Sequence, residues 1–569
     1  MSILKFIYNF AFLISERSLT GAIKLKIKIM DKLLLLGDEA IAQAAIDAGL
    51  SGIFAYPGTP STEITEYIQD SKQAKELGIR SNWACNEKTA MEAAIGMSYA
   101  GKRAMFCCKH VGVNVAADPF MNSAITGANG GLVYIAADDP SMHSSQDEQD
   151  SRQYADFAMI PCLEPSNQQE AYDMVHYAFD FSEKYHTPVM IRVTTRLAHS
   201  RAAVERRDVV KKQNELTLPE DKRQYILLPV NAKRHYKNLI KKQDDFMKES
   251  VSSSFNCLYE GTDHKLGIVA CGLAYNYLME NFQGKQCPYS VLKVSQYPMP
   301  DKLLKKLYND SEELLVLEEG QPIYERLIKG LLDISKPIHG RLDGTIQRDG
   351  ELSPNAVGKA VGVKVPEGFE VPDIVAGRPP KLCDGCPHRD SYLALNEAMK
   401  EFGGSRVFSD IGCYTLGALP PFEAIYTTVD MGASITMAKG AAEASLKPTV
   451  AVIGDSTFTH SGMTGLLDCC VDQIPITIII LDNDITAMTG AQKSSATGRI
   501  ESICKGIGVE ESHIRVINPL AKNFEENVKV MKEEIAYKGV SVIIPRRDCI
   551  VWGQKKRRML AAKKAAENK

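Results

Sequence analysis

The sequence predicts an α/β protein built on parallel sheets, and three observations predict it. Short apolar runs alternate with stretches of helical spacing from residue 32 to 200, and again from 381 to 548. Such alternation gives a parallel sheet covered on both faces. Two of the runs end in Gly454-Asp455 and in Asp482-Asn483, at the strand ends where open α/β sheets bind ligands. The chain has 569 residues, enough for about three or four domains of roughly 150 residues each.

The elements follow in order. Residues 1–30 read as an N-terminal extension. The apolar stretch 3–14 is broken by Asn9 and followed by Glu16 and Arg17, short of the roughly 20 apolar residues that span a bilayer. No small-residue cleavage site follows it, and no later stretch resembles a membrane segment. Residues 31–200 form the first large α/β domain, with strands expected at 33–36, 52–56, 103–107, 131–136 and 188–193 and a helix at 38–48. Ser61 caps a further helix that buries Ile64, Tyr67 and Ile68. Residues 201–263 are charged and poorly periodic and read as a surface connector. Residues 264–339 resume a smaller α/β pattern. The Gly- and Pro-rich stretch 340–380 is a second connector, residues 381–550 are the last α/β domain, and 551–569 are a basic, Ala-rich tail.

Hydrophobic content of 44% and charged content of 24% are those of an ordinary soluble globular protein. A net charge of −3 gives no reason to expect nucleic acid. Fourteen cysteines are too dilute for a disulfide scaffold, so the expected compartment is the reducing cytoplasm.

The segment after residue 450 is the most informative. Gly454 permits a tight turn and close backbone approach, Asp455 sits at the strand end, and the helix at 463–471 offers an N-terminus to an anion. The next strand, 476–481, delivers Asn483 to the same sheet edge. Two hard oxygen ligands on neighbouring strand ends suit Mg2+, with a diphosphate completing the shell. The spacing of Gly-Asp to Asn matches thiamine diphosphate enzymes, in which Ile485 would add a backbone carbonyl. Two departures stand out: Ser456 occupies the place of a glycine, and Asp482 that of the first of two asparagines.

The companion segment is Asn86-Glu87, opening a helix of small residues at 89–99. A glutamic acid hydrogen-bonded to the aminopyrimidine N1′ promotes the tautomer that activates the thiazolium, and the cofactor then carries the hard chemistry. Cys383 and Cys386 form a C-x₂-C knuckle, Cys413 follows beside Gly412, and Cys549 lies just past the last strand. These four suit one [4Fe–4S] cluster near the thiazolium. Zinc with His388, or plain structural thiols, are the other readings.

The residues also resemble a family: the alpha, thiamine-binding subunit of indolepyruvate ferredoxin oxidoreductases. The matching segments are 56–63, 109–119, 137–146, 383–389, 454–458 and 486–490, within residues 32–549. The resemblance implies a pyrimidine-binding domain at 31–200, a transketolase-C-like domain at 264–339 and a diphosphate-binding domain at 381–550. It implies oxidative decarboxylation of an arylpyruvate with coenzyme A, reducing ferredoxin, alongside a small beta subunit. By the same resemblance Thr59 lies near the substrate carboxylate, and His110 and His143 line the pocket. Members of the family carry a ferredoxin-like domain with two cysteine-rich motifs after the last strand, and no cysteine follows Cys549 here. The expected electron exit is therefore the domain's own cluster, one on another polypeptide, or none at all. The competing expectations are a non-oxidative 2-oxoacid decarboxylase and a catalytically silent scaffold subunit.

Overall fold

A computed structural model gives the architecture. It describes residues 32–567 apart from 222–223, 283–284, 333–334, 367, 369, 376, 378–379, 404–406 and 429. The expected N-terminal extension lies outside the described residues.

Three sheets carry the fold. The first has seven strands in the order Gln296–Tyr297, Cys162–Leu163, Val189–Thr194, Leu132–Asp138, Ala104–Lys109, Gly52–Ala55 and Arg80–Trp83. All are parallel except Gln296–Tyr297, which pairs antiparallel at the edge. The central strands Ala104–Lys109 and Leu132–Asp138 are buried throughout, as parallel strands sandwiched between helices must be. The third sheet has five parallel strands in the order Val407–Ser409, Val450–Gly454, Ile476–Leu481, Val540–Pro545 and Ile514–Ile517. Between these two in the chain lies a smaller sheet built on Asp263–Cys271, flanked by Tyr289–Val294 and Glu313–Leu317. This is the predicted fold class: two large parallel-sheet units separated by a smaller α/β unit.

Three local expectations differ from what is found. The first apolar run, Lys32–Leu36, does not join the parallel sheet. It pairs antiparallel with Arg201–Glu205, so the chain returns to the first unit beyond residue 200. The stretch 201–263 is not a plain connector, because it contains the 24-residue helix Pro229–Ser252. That helix buries Asn231, His235, Leu239, Phe246 and Ser250, a stripe of helical spacing whose polar members hide it from an apolar count. The Gly- and Pro-rich stretch 340–380 also carries one short helix, Pro354–Ala360. Among the described residues no helix is long and apolar enough to cross a membrane.

Candidate active site between the two large sheets

The carboxyl ends of both large sheets open onto one cavity of about 980 Å³, including its mouth. From the first sheet come Tyr56, after Gly52–Ala55, Glu87, after Arg80–Trp83, and Lys109, the last residue of its strand. From the third sheet come Cys413, Asp455 and Asn483, each just past a strand end. Parallel strands leave their connections at the same edge, so residues hundreds of positions apart converge.

Glu87 opens the helix Glu87–Tyr99, capped by Asn86, whose side chain accepts from the Thr89 amide at 2.9 Å. The carboxylate is buried and its Oε2 lies 2.8 Å from His460 Nε2. Asn86 Nδ2 donates to the His460 carbonyl at 2.9 Å, so the same corner is held twice. His460 sits one turn beyond Asp455 and was not a sequence candidate, since nothing local in Phe458-Thr459-His460 points to Glu87. Room for Glu87 is made by Gly112: a Cβ there would stand 2.7 Å from both Glu87 Cγ and Oε1. Gly112→Ala is expected to push the carboxylate aside, costing about 1–3 kcal/mol of overpacking. It should lower kcat while the far-UV spectrum stays native, and full activity would show that Glu87 tolerates displacement.

Asp455 is buried, and its Oδ2 has no hydrogen-bond partner. Burial first, then the neighbouring Asp482 carboxylate, pushes its pKa up to about 8. A lone carboxylate in that position is unfavourable unless a cation shares it. Asn483 Oδ1 accepts from the Ile485 amide at 3.2 Å and its Nδ2 points to His388 Nε2 at 3.3 Å. Asp455, Asn483 and Ile485 line the same cavity, and this donor set fits Mg2+ holding a diphosphate. Asp482 is turned away, accepting from Arg546 Nε at 2.6 Å.

The Ser456 departure has a structural reason. Its hydroxyl lies 2.8 Å from Tyr56 OH and 2.7 Å from Thr486 Oγ1, joining the two sheets across the cavity. Gly454 is needed where it stands, because a Cβ there would meet the Tyr414 ring at 2.6 Å.

Cys413 stands near the Cys383–Cys386 knuckle and near Cys549. Cys413 is in the cavity wall. Burial first, then the nearby thiols of Cys386, Cys549 and Cys383, push its pKa up to about 12. Arg547 Nη2 donates to the Gly385 carbonyl at 3.0 Å, and the Cys549 amide donates to the Asn483 carbonyl at 3.2 Å, drawing Cys549 toward the knuckle. His388 reaches toward Asn483, with its pKa lowered to about 4 by burial and by Arg547. This placement commits its Nε2 to the Asn483 side of the cavity, which weakens the zinc reading.

Thr59 lines the cavity. His110 does not. It is fully buried, its Nε2 faces Asp147 Oδ1 at 3.3 Å, and its neighbours Lys109 and Val111 form the wall instead. His143 is also outside the wall, half-exposed and 3.6 Å from Glu351. Both corrections have the same cause: a motif locates a loop, but not the direction in which each side chain leaves it.

Comparison with known proteins agrees with this geometry. Residues 43–248 match the family "pyruvate flavodoxin/ferredoxin oxidoreductase, thiamine diP-bdg". Residues 410–544 match "thiamine pyrophosphate enzyme, C-terminal TPP binding domain". Fold and site together define a thiamine diphosphate-dependent 2-oxoacid oxidoreductase. The indolepyruvate oxidoreductase subunit IorA of Archaeoglobus fulgidus is 38% identical over 556 residues, covering 93% of this chain and 88% of that one. Those of Pyrococcus horikoshii and Methanothermobacter thermautotrophicus are 37% and 36% identical, each over 92% of this chain and over 86% and 87% of theirs. The chain belongs to this family of indolepyruvate oxidoreductase alpha subunits.

Proposed function

We propose that the protein oxidatively decarboxylates an arylpyruvate of the indolepyruvate type with coenzyme A, releasing carbon dioxide and an aryl-acetyl-CoA and passing two electrons to ferredoxin. The small beta subunit of such oxidoreductases is its partner. The observation that carries this reading is the single cavity onto which Glu87, Asp455 and Cys413 all open.

Asp455, Asn483 and the Ile485 carbonyl would hold Mg2+ and with it the diphosphate, the latter seated against Gly454 and Ser456. Thiamine diphosphate, when bound, supplies the carbon nucleophile and the electron sink for loss of carbon dioxide. Glu87 is the residue that would share a proton with the pyrimidine N1′, and His460, 2.8 Å away, orients the carboxyl group. The cavity is walled by Met431, Ile411 and Met488 as well as polar groups, a mixture suited to an aromatic side chain with a charged end. Cys383, Cys386, Cys413 and Cys549 would hold a [4Fe–4S] cluster that removes the electrons singly.

Thr59 and Lys109 are the partners for the substrate carboxylate. Lys109 is mostly buried in the wall, donating to the Ser144 carbonyl at 2.7 Å, and burial lowers its pKa while Asp139 and Asp147 oppose that shift. A hydrogen bond to a charged group contributes about 1.5–3 kcal/mol. Lys109→Met is therefore expected to raise KM for the 2-oxo acid roughly tenfold or more without changing thiamine diphosphate affinity. An unchanged KM would remove Lys109 from substrate binding.

The deciding experiment is anaerobic purification with the small subunit, followed by a viologen reduction assay. Coenzyme A-dependent reduction by protein holding about four irons per chain is the expected result. Iron-free protein that releases carbon dioxide without coenzyme A would favour the non-oxidative decarboxylase, and protein that fails to bind thiamine diphosphate would favour the scaffold.

A further inference from the structure

A second cluster of ligating groups lies in the first unit, away from the cavity lining. Asp38 in the helix Gly37–Asp47, Glu63 in the helix Thr62–Asp70 and His199 at the end of the helix Thr195–His199 each offer one donor atom, and these atoms lie within 4.8 Å of one another. Among the described residues it is the one such group of three. Asp38 is completely buried, yet neither of its carboxylate oxygens has a hydrogen-bond partner. Glu63 Oε2 has none either. Asp38 thus brings two buried, unpaired carboxylate oxygens to a group whose other members, Glu63 and His199, are paired with each other. The buried Asp38 carboxylate would cost several kcal/mol of lost solvation unless a cation or proton joins it. The nearest positive group is His199, whose Nε2 stands 3.6 Å from Glu63 Oε1.

We propose that Asp38, Glu63 and His199 bind a divalent transition metal of the manganese or zinc type. Two carboxylates and one imidazole are a donor set for such ions, whereas magnesium and calcium prefer oxygen alone. Burial and the Glu63 charge raise the Asp38 pKa above the ordinary carboxylate range, whereas the hydrogen bond between Glu63 and His199 lowers that of Glu63 and raises that of His199, so a metal must displace the His199 proton. Access from solvent is provided by an acidic cleft walled by Glu39, Glu63, Glu66 and Asp70, although Glu39 is paired with Arg201 at 2.9 Å and Glu66 accepts from Gln492 at 2.8 Å. The metal would tie three helices together. One of them begins beside Thr59, where Ser61 Oγ donates to the Gly58 carbonyl at 2.8 Å and the Gly58 amide donates to Thr62 Oγ1 at 3.0 Å. Its role is to stiffen the cavity wall from behind.

The test uses the full-length, thiamine-free protein titrated with MnCl2 in excess magnesium. Manganese is chosen because it binds thiolates poorly, which leaves the cysteines out. Free manganese is read by its paramagnetic resonance signal, and the bound ion is examined for modulation by an imidazole nitrogen. The proposal expects one saturable site per chain with a nitrogen coupling that disappears in His199→Gln, and at least about tenfold weaker binding in Asp38→Asn, the scale on which even outer partners of a ligand act. Glu63→Gln, at a half-exposed helix position, repeats the affinity test if Asp38→Asn does not fold. A native chain that shows no saturable site or no nitrogen coupling overturns the proposal, as does a site that survives all three substitutions. The alternative of a proton shared by Asp38 and Glu63 predicts that outcome.

Discussion

Glu87→Gln is expected to lower turnover by at least about 10²-fold, the scale of a general acid–base contribution, while the protein still folds and still binds its cofactor. The glutamine has the volume of the glutamate, so the space left by Gly112 and the helix start at Asn86 are undisturbed. It can still meet His460 Nε2. An amide cannot give and recover a proton at the pyrimidine N1′, the exchange proposed for Glu87. The measurement is kcat at saturating thiamine diphosphate and substrate, with cofactor affinity determined separately. A variant with near-normal kcat would sink the assignment of Glu87. A variant whose loss of activity came entirely from weaker cofactor binding would move Glu87 from catalysis to anchoring.

Asp455 gives the second large effect, and in its asparagine variant affinity and stability should move in opposite directions. Asp455→Ala removes the only carboxylate proposed to ligate the magnesium. Truncating one member of a buried charge pair costs about 2–5 kcal/mol, so magnesium-dependent thiamine diphosphate affinity is expected to fall roughly 30-fold or more. Asp455→Asn should lose affinity too, yet the cofactor-free protein should melt higher than the parent. The reason is that Asp455 Oδ2 is buried without a partner and is repelled by Asp482, a cost the neutral amide avoids. Calorimetric titration and thermal melts without cofactor read the two effects separately. Unchanged affinity in both variants would place the metal elsewhere.

Most of this site was legible in the sequence because its chemistry is written locally. Gly454-Asp455 and Asn483 sit at the ends of uninterrupted apolar runs, and Glu87 stands at the head of a small-residue helix. What was not legible depended on partners distant in the chain. His460 acquires its meaning only from Glu87, 373 positions earlier. Lys109 lay in a recognisable motif, but the choice between it and His110 for the cavity wall depends on how the strand Ala104–Lys109 hands over to the following helix. The fold shows the same division. The buried strands were readable from their apolar runs, whereas the helix Pro229–Ser252 packs Asn231, His235 and Ser250 inward, so an apolar periodicity could not reveal it. The strand Ile514–Ile517 is only partly buried at the sheet margin and carries too weak a pattern to announce itself.

The antiparallel strand Gln296–Tyr297 has a bearing on how the polypeptide can be divided. It lies among the elements of the smaller α/β unit, yet it completes the margin of the seven-stranded sheet beside Cys162–Leu163. The anchorage is reinforced by Tyr297 OH donating to Glu164 Oε2 at 2.5 Å, and by Asn256 Nδ2 donating to the Gln296 carbonyl at 2.8 Å. A fragment ending after residue 252 would keep every other strand of that sheet and expose a bare row of amides and carbonyls at its border. Such a border invites pairing with a neighbouring molecule. The smaller unit therefore covers one border of the seven-stranded sheet with its own chain, and a cut between the two would uncover it.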